Sequence, residues 1–282
     1  MSGITIRFSA VMLVLGYVFL YVPIVLLILF SFNDSRLVTV WGGWSLRWYD
    51  ALFSDGQMLS AAWLSIRIAA ITATIALVLG TMAGVALERF GRFRGRFVFT
   101  GMIAAPLVMP EVIVGLSLLL MFVAMDQAIG WPAGRGMLTI IIAHATFCAA
   151  YVAVVVQSRL ATLDRSLEEA AMDLGARPSK VFFVITLPII SPALIAGWLL
   201  AFTLSLDDLV VASFVSGPGS TTLPMLVFSS VRLGVSPQIN ALATIIVAVV
   251  SIGIILAAAL LHRQEGRRQK GMHTDDPARS AR

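Results

Sequence analysis

Charge is what this sequence has least of. Only 12% of its 282 residues are Asp, Glu, Lys or Arg, 59% are hydrophobic, and the mean hydropathy is +0.94. A soluble domain carries roughly a quarter charged residues, so a soluble globular domain, a disordered chain and a fibrous repeat are excluded. Cysteine is nearly absent. Cys148 stands alone, which leaves no intramolecular disulfide and no cysteine-based metal cluster. Histidine is limited to His144, His262 and His273, and no HExxH or GxSxG-type stretch occurs. A metal-ligand cluster or a membrane-embedded hydrolytic centre therefore lacks its parts. Cys148 lies one helical turn after His144, where a buried thiol is expected to be inert packing. Also missing is any GxxxxGK[ST] loop, so the chain has no phosphate cradle of its own.

What is present is apolar sequence in long blocks. They predict an all-α polytopic membrane protein with six spans, at residues 10–32, 66–87, 98–124, 137–157, 192–206 and 237–261. The first follows Arg7 as a signal peptide would. It is longer than a usual apolar signal core and lacks a small-x-small cleavage site, so an uncleaved span is expected. Trp41, Trp44, Trp48 and Tyr49 just beyond it form an interfacial aromatic patch. Between spans 5 and 6 the apolar stretch is broken by Gly217, Pro218, Gly219 and Pro224, which predicts a re-entrant element. Span 6 is expected to start with Ser236 as cap and Pro237 at the first helical position. Residues 1–262 read as one transmembrane domain and 263–282 as a polar cytoplasmic tail.

Lys and Arg fall unequally on the two sides. One side collects fifteen, among them Arg7, Arg89, Arg92, Arg94, Arg96 and the tail; the other holds Arg36, Arg47, Arg135 and Arg232. Arg67 is expected at the outer lip of span 2, able to snorkel. The bias predicts cytoplasmic termini and explains the net charge of +5 without nucleic acid.

One cytoplasmic loop differs from the rest. Residues 164–188 read DRSLEEAAMDLGARPSKVFFVITLP. Leu167, Ala170, Ala171 and Leu174 share one helical face. Ser166 and Glu169 have capping-box spacing, and Arg165 and Glu169 can pair for a few tenths of a kcal/mol. Gly175 is expected to stop this helix. Pro178 then opens a second short helix, which Pro188 ends. A narrow stripe of small residues suits docking in a partner's groove. It equally suits a helix lying at the headgroups, although the acids Asp164, Glu168, Glu169 and Asp173 would be repelled by an anionic leaflet.

Ionisable groups inside spans are costly, about 2.5–3.5 kcal/mol for a central Asp. Asp207 and Asp208 close span 5, Glu111 follows Pro110 in span 3, and His144 lies in span 4. At 1.5 Å per residue, Glu111 and Asp207 lie about 20 Å and 22 Å above the inner ends of their helices, and His144 about 10 Å below the outer surface. The three segments thus bring polar groups to a similar depth. The cluster can form a cation path, with Pro106 and Pro110 breaking span 3 and freeing carbonyls. Trp131, Phe147, Tyr151 and Phe202 would then supply aromatic faces. The same residues can serve structure: Asp207 as a helix terminator, Asp208 paired with Arg67 or Arg232. A pathway lined by adjacent aspartates does not suit an anion.

Glu169-Ala170-Ala171, three residues, Gly175, nine residues and Ile185-Thr186-Leu187-Pro188 resemble the EAA loop of ABC-importer permeases. Residues 104–110 (AAPLVMP), 129–132, 144–153 and 204–227 extend the resemblance to the inner-membrane permeases of bacterial putrescine (polyamine) importers. It implies the six-helix type I architecture, with the loop as coupling helix and Glu168, Glu169, Ala170, Ala171, Asp173, Leu174, Gly175 and Arg177 facing a cytosolic ATPase. It further implies an ATPase pair that binds ATP and Mg, a homologous second permease, a periplasmic polyamine-binding protein, and no cofactor or catalysis in this chain. An ion-coupled secondary transporter is the competing class. No internal inverted repeat supports it, and six spans are half its usual unit.

Overall fold

The computed structural model describes residues 3–37, 40–233, 237–249 and 251–252. Among them the regular structure is helical, apart from one isolated antiparallel bridge between Asn33 and Trp44. The helices are α1 (Gly3–Ser31), α2 (Arg47–Ser54), α3 (Gly56–Arg89), α4 (Arg96–Val108), α5 (Glu111–Ile129) and α6 (Met137–Ala161). They are followed by α7 (Ser166–Asp173), α8 (Pro178–Val181), α9 (Leu187–Asp207), α10 (Val210–Val215), α11 (Leu223–Leu233) and α12 (Pro237–Val249). Five helical segments among the described residues are long and apolar enough to cross a membrane: Phe8–Ser31, Gly56–Arg89, Glu111–Ile129, Met137–Ala161 and Pro178–Asp207.

Two compact units divide the chain. The larger, Gly56–Ser229, is built on α3, α6 and α9. Small residues make that packing possible. Ala69, Ala73, Ala76, Gly80 and Gly84 recur every three or four residues of α3, and all are buried. A methyl group on Gly80 would lie 2.6 Å from the Val152 Cβ and 2.7 Å from the Ala149 carbonyl oxygen of α6. Backbones meet this closely only where a side chain is missing. Around the seam lie Cys148, Val152, Val156, Ile190 and Ala201. At the other end Ile68, Phe122, Ile140, Val211 and Val215 join α3, α5, α6 and α10. In the smaller unit, the buried Asn33 organises the turn after α1. Its Nδ2 donates to the Val40 carbonyl at 2.7 Å, and its Oδ1 accepts the Gly42 N–H at 2.7 Å. Trp48 donates its indole N–H to the Asn33 carbonyl at 2.7 Å.

Several boundaries depart from expectation. The second span begins at Gly56, ten residues before the expected Ile66, so Arg67 lies three turns inside α3 rather than at its lip. The third span is two helices that part at Met109 and Pro110. Only Pro110 breaks it: Pro106 stays within α4. Pro188 does not end α8, because helix runs on from Pro178 to Asp207. A π-helical turn at Phe182–Thr186, in which the Leu187 N–H reaches back to the Phe182 carbonyl, widens the spiral just before the proline. Pro192 also remains inside α9. The Pro188 carbonyl that it leaves without a helical partner accepts the Ser191 hydroxyl at 2.8 Å, the kind of local repair that lets proline persist in membrane helices. Of the expected sixth span, 237–249 are helical. Ser236, residue 250, residues 253–261 and the tail 263–282 lie outside the described residues.

Candidate functional site

Two polar constellations stand out in the larger unit, at opposite ends of its helices. The first is the loop that carries α7 and α8. The Ser166 N–H is capped by the Asp164 carboxylate at 3.0 Å. This bond holds the Asp164 carboxyl below its ordinary range. The expected capping box is not formed, because Ser166 is already the first helical residue and Arg165 precedes it as cap. Arg165 does not pair with Glu169 either. Its guanidinium reaches α3, donating to the Glu88 carbonyl at 2.8 Å with the Glu88 carboxylate at 3.6 Å.

Gly175 ends α7 as expected, with φ of +86°. The Gly175 N–H donates to the Met172 carbonyl at 2.8 Å and the Ala176 N–H to the Ala171 carbonyl at 3.0 Å, the paired bonds of a Schellman stop. Pro178 then starts α8 after the extended Arg177.

The loop has two sides. Inward, Glu168 forms an ion pair with Arg89 of α3 at 3.0 Å, the two side chains only 14% and 13% exposed. Glu168 also accepts the Thr186 hydroxyl at 2.8 Å. Its carboxylate thus ties α7 to α3 and to the π turn that leads into α9. Outward lie Leu167, Glu169, Ala170, Asp173, Gly175 and Arg177, with Leu174 at 90% exposure, while Ala171 is half-buried.

The second constellation is buried. His144 of α6 is fully enclosed. Its Nε2 lies 3.0 Å from Asp208 Oδ2 and its Nδ1 2.8 Å from Ser205 Oγ of α9. Asp208 also accepts the Ala212 N–H at 2.7 Å and the Val211 N–H at 3.3 Å. The carboxylate therefore caps α10 while holding α6. Because Asp208 also accepts two backbone amides, a neutral imidazole here carries its proton on Nε2 and accepts the Ser205 O–H at Nδ1. Asp208 is consequently paired with His144, not with Arg67. Thr139, one turn or so earlier on α6, donates to the Val215 carbonyl at 2.7 Å and closes the other end of α10.

The four expected pathway residues do not form one network. Asp207, next to Asp208, is exposed at the end of α9. Glu111 is exposed in the first turn of α5, where a helix N-terminus favours an anion. One turn further, Gly115 lies against Phe214 and Val211 of α10, with 2.7 Å and 3.3 Å available to a methyl group. The packing thus brings α5, α6, α9 and α10 to one level without bonding Glu111 to His144. Of the aromatic candidates, Phe147 meets His144 edge-on at 5.7 Å, and Trp198, which the sequence did not single out, stacks on Phe202 at 5.3 Å. Ser205 was also missed. A serine two residues before an Asp-Asp pair is its only signal, and that becomes legible only once α6 is alongside.

Two cavities open on this unit. One, about 1490 Å³ and mainly apolar, lies beside the loop, lined by α3, α4, α6 and the stretch from Glu168 to Leu194. The other, about 400 Å³, is at the opposite end and is lined by Gln57, Ser60, Arg67 and Thr221. Neither is lined by Asp207, Asp208, Glu111 or His144.

Comparison with known proteins matches residues 76–270 to the family described as binding-protein-dependent transport system inner membrane component. The putrescine transport system permease protein PotI of Escherichia coli (strain K12) is 67% identical over 258 residues, covering 92% of each chain. The spermidine/putrescine transport system permease protein PotC of the same strain is 40% identical over 255 residues, covering 90% of this chain and 94% of that protein. In fold, the chain is similar to a bacterial ABC transporter involved in import of the acidic polysaccharide alginate, with a TM-score of 0.68, 19% identity and coverage of 92% and 96%. It is also similar to the MetNI methionine ABC transporter, with a TM-score of 0.59, 16% identity and coverage of 73% and 95%.

Proposed function

The chain belongs to the inner membrane components of binding-protein-dependent transport systems, and on that premise we propose that it is a membrane-spanning permease subunit of an ATP-driven putrescine importer. The 67% identity to a putrescine permease over almost the whole of both chains supports this substrate. The 40% identity to a spermidine/putrescine permease supports spermidine as a second one. Without a phosphate-binding loop, the energy must come from a separate ATPase, which binds the ATP and Mg. A periplasmic binding protein delivers the polyamine, and a second, homologous permease supplies the other half of the pathway. The subunit lies in the inner membrane with its basic loops and both termini in the cytoplasm.

One observation carries the coupling mechanism: the outward face of α7 is free while its inward face is bonded to two other helices. Glu169, Ala170 and Leu174 are exposed and form, with Ala171, Asp173, Gly175 and Arg177, the surface that the ATPase grips. Glu168 transmits. Its bonds to Arg89 and Thr186, with Arg165 on Glu88, connect any displacement of α7 to α3. The unbroken helix from Pro178 to Asp207 carries it to the acidic end of α9. ATP binding then biases two arrangements of these helices.

At that end Asp207 is the carboxylate available to an ammonium group. Asp208 is occupied by His144 and α10, so it fixes the turn that presents Asp207. Glu111 adds negative potential at the break in the third span. The second permease completes the pathway around these acids, which line neither of the two cavities described above. Coupling is tested by Glu169→Lys in the assembled transporter. Membrane insertion and basal ATP hydrolysis are expected to persist while putrescine uptake per ATP falls; unchanged coupling refutes the docking assignment.

A further inference from the structure

The turn joining α3 to α4 alternates arginine with phenylalanine: Arg89, Phe90, Gly91, Arg92, Phe93, Arg94, Gly95, Arg96 and Phe97. Two of its arginines are engaged within the protein. Arg89 is paired with Glu168. Arg96 folds back over the end of α3, donating to the Leu87 carbonyl at 2.8 Å and to the Gly91 carbonyl. With Gly91 and Gly95 at φ of +64° and +86°, and Phe93 edge-on to Phe99 at 6.2 Å, the turn has a built shape. The nearby acids are taken, Glu168 by Arg89 and Glu88 by Arg165. Arg92 and Arg94 are exposed, and neither forms an ion pair or hydrogen bond among the described residues. Flanking them, Phe90 is 69% and Phe97 92% exposed. Phe90 also lines the apolar cleft, together with Phe99 and Met102.

Two unpaired guanidinium groups call for an anion, and two exposed phenylalanines call for hydrocarbon. A soluble phosphate satisfies only the first demand. A zwitterionic lipid brings its own ammonium group to its phosphate and satisfies the first poorly. An anionic phospholipid satisfies both, since guanidinium forks match phosphate oxygens and a basic juxtamembrane cluster draws anionic headgroups. We propose that this turn is a binding site for an anionic phospholipid, its phosphate held between Arg92 and Arg94 and an acyl chain lying along Phe90 into the cleft. The site is independent of the transported substrate.

Native mass spectrometry of the purified transporter tests it, with phosphatidylglycerol and phosphatidylethanolamine of the same chain length as probes. The wild-type complex is expected to retain phosphatidylglycerol several-fold better through detergent exchange. The Arg92→Gln, Arg94→Gln double variant is expected to lose that preference, and Arg47→Gln to keep it. Glycerol 3-phosphate, the headgroup without chains, is expected not to displace the lipid. Equal retention of both lipids by the wild type, an undiminished preference in the double variant, or displacement by glycerol 3-phosphate each overturns the site. If the double variant does not assemble, the two single variants are measured the same way, and a full preference in both overturns it.

Discussion

Asp207 and Asp208 are neighbours of identical chemistry with opposite fates. Asp208 is buried among His144, Ser205 and the first amides of α10, whereas Asp207 is exposed. Truncating Asp208 leaves the His144 ring nitrogen and the first amides of α10 buried without their acceptor, which costs about 1–3 kcal/mol per unsatisfied group. Asp208→Ala is therefore expected to lower the melting temperature of the purified permease sharply, by light scattering or tryptophan fluorescence. Asp207→Asn should leave the melting temperature unchanged and reduce putrescine uptake. Normal uptake in that variant removes Asp207 from the pathway. The pair was visible in the sequence as an anomaly. Which member faced inward was not, because the choice depends on where α9 ends and on a histidine more than sixty residues away. Asp164 is a residue of another kind. Its folded carboxyl lies below the ordinary value because it accepts the Ser166 N–H, so its support for α7 is complete above about pH 4, the unfolded value, and is lost as pH falls through the folded one. A spin label at position 172 should become more mobile over that acid range, and Asp164→Asn should flatten the response.

At the scale of elements, the α3–α6 seam depends on absent side chains. A methyl group at Gly80 would sit 2.6 Å from the Val152 Cβ and 2.7 Å from a backbone oxygen, closer than packing allows. Gly80→Ala should therefore cost about 1–3 kcal/mol through forced separation, measured as thermal stability in detergent. The recurrence of small residues from Ala69 to Gly84 was present in the sequence and is a packing signal. Helix ends were less legible. Pro188 reads as a stop by its missing N–H, yet a π turn and the Ser191 hydroxyl accommodate the two prolines of α9. Pro110 breaks the third span where Pro106 does not, and the local sequence carries no distinction between them. The loop was read well at the bend of Gly175, because a glycine stop acts within a few residues, whereas the expected capping box and the stop at Pro188 did not form. Its pairing was misread for the opposite reason: Glu168 and Arg165 are bonded to α3, far along the chain.

For the whole molecule, the proposed dependence on partners is tested with the subunit alone. The acids at the end of α9 line neither cavity, and the apolar side chains of α1 from Phe8 to Leu26 are exposed, a surface for lipid or protein. Reconstituted alone in vesicles with ATP inside and putrescine outside, the chain is expected to accumulate nothing. Accumulation should appear only when the ATPase, the second permease and the binding protein are added. Uptake by the lone subunit would refute the importer assignment. Composition and apolar length were enough to establish a multi-span helical membrane protein, and Gly175 was enough to place the stop of α7, since hydrophobic length and a glycine stop act locally. Only the folded chain decided that Glu168 joins helices while Glu169 is exposed, that Asp208 is spent on His144 while Asp207 is not, and that Pro110 breaks its helix while Pro106, Pro188 and Pro192 are absorbed. Each of those outcomes depends on groups distant in sequence, or on the exact path of a helix, and no local pattern encodes either.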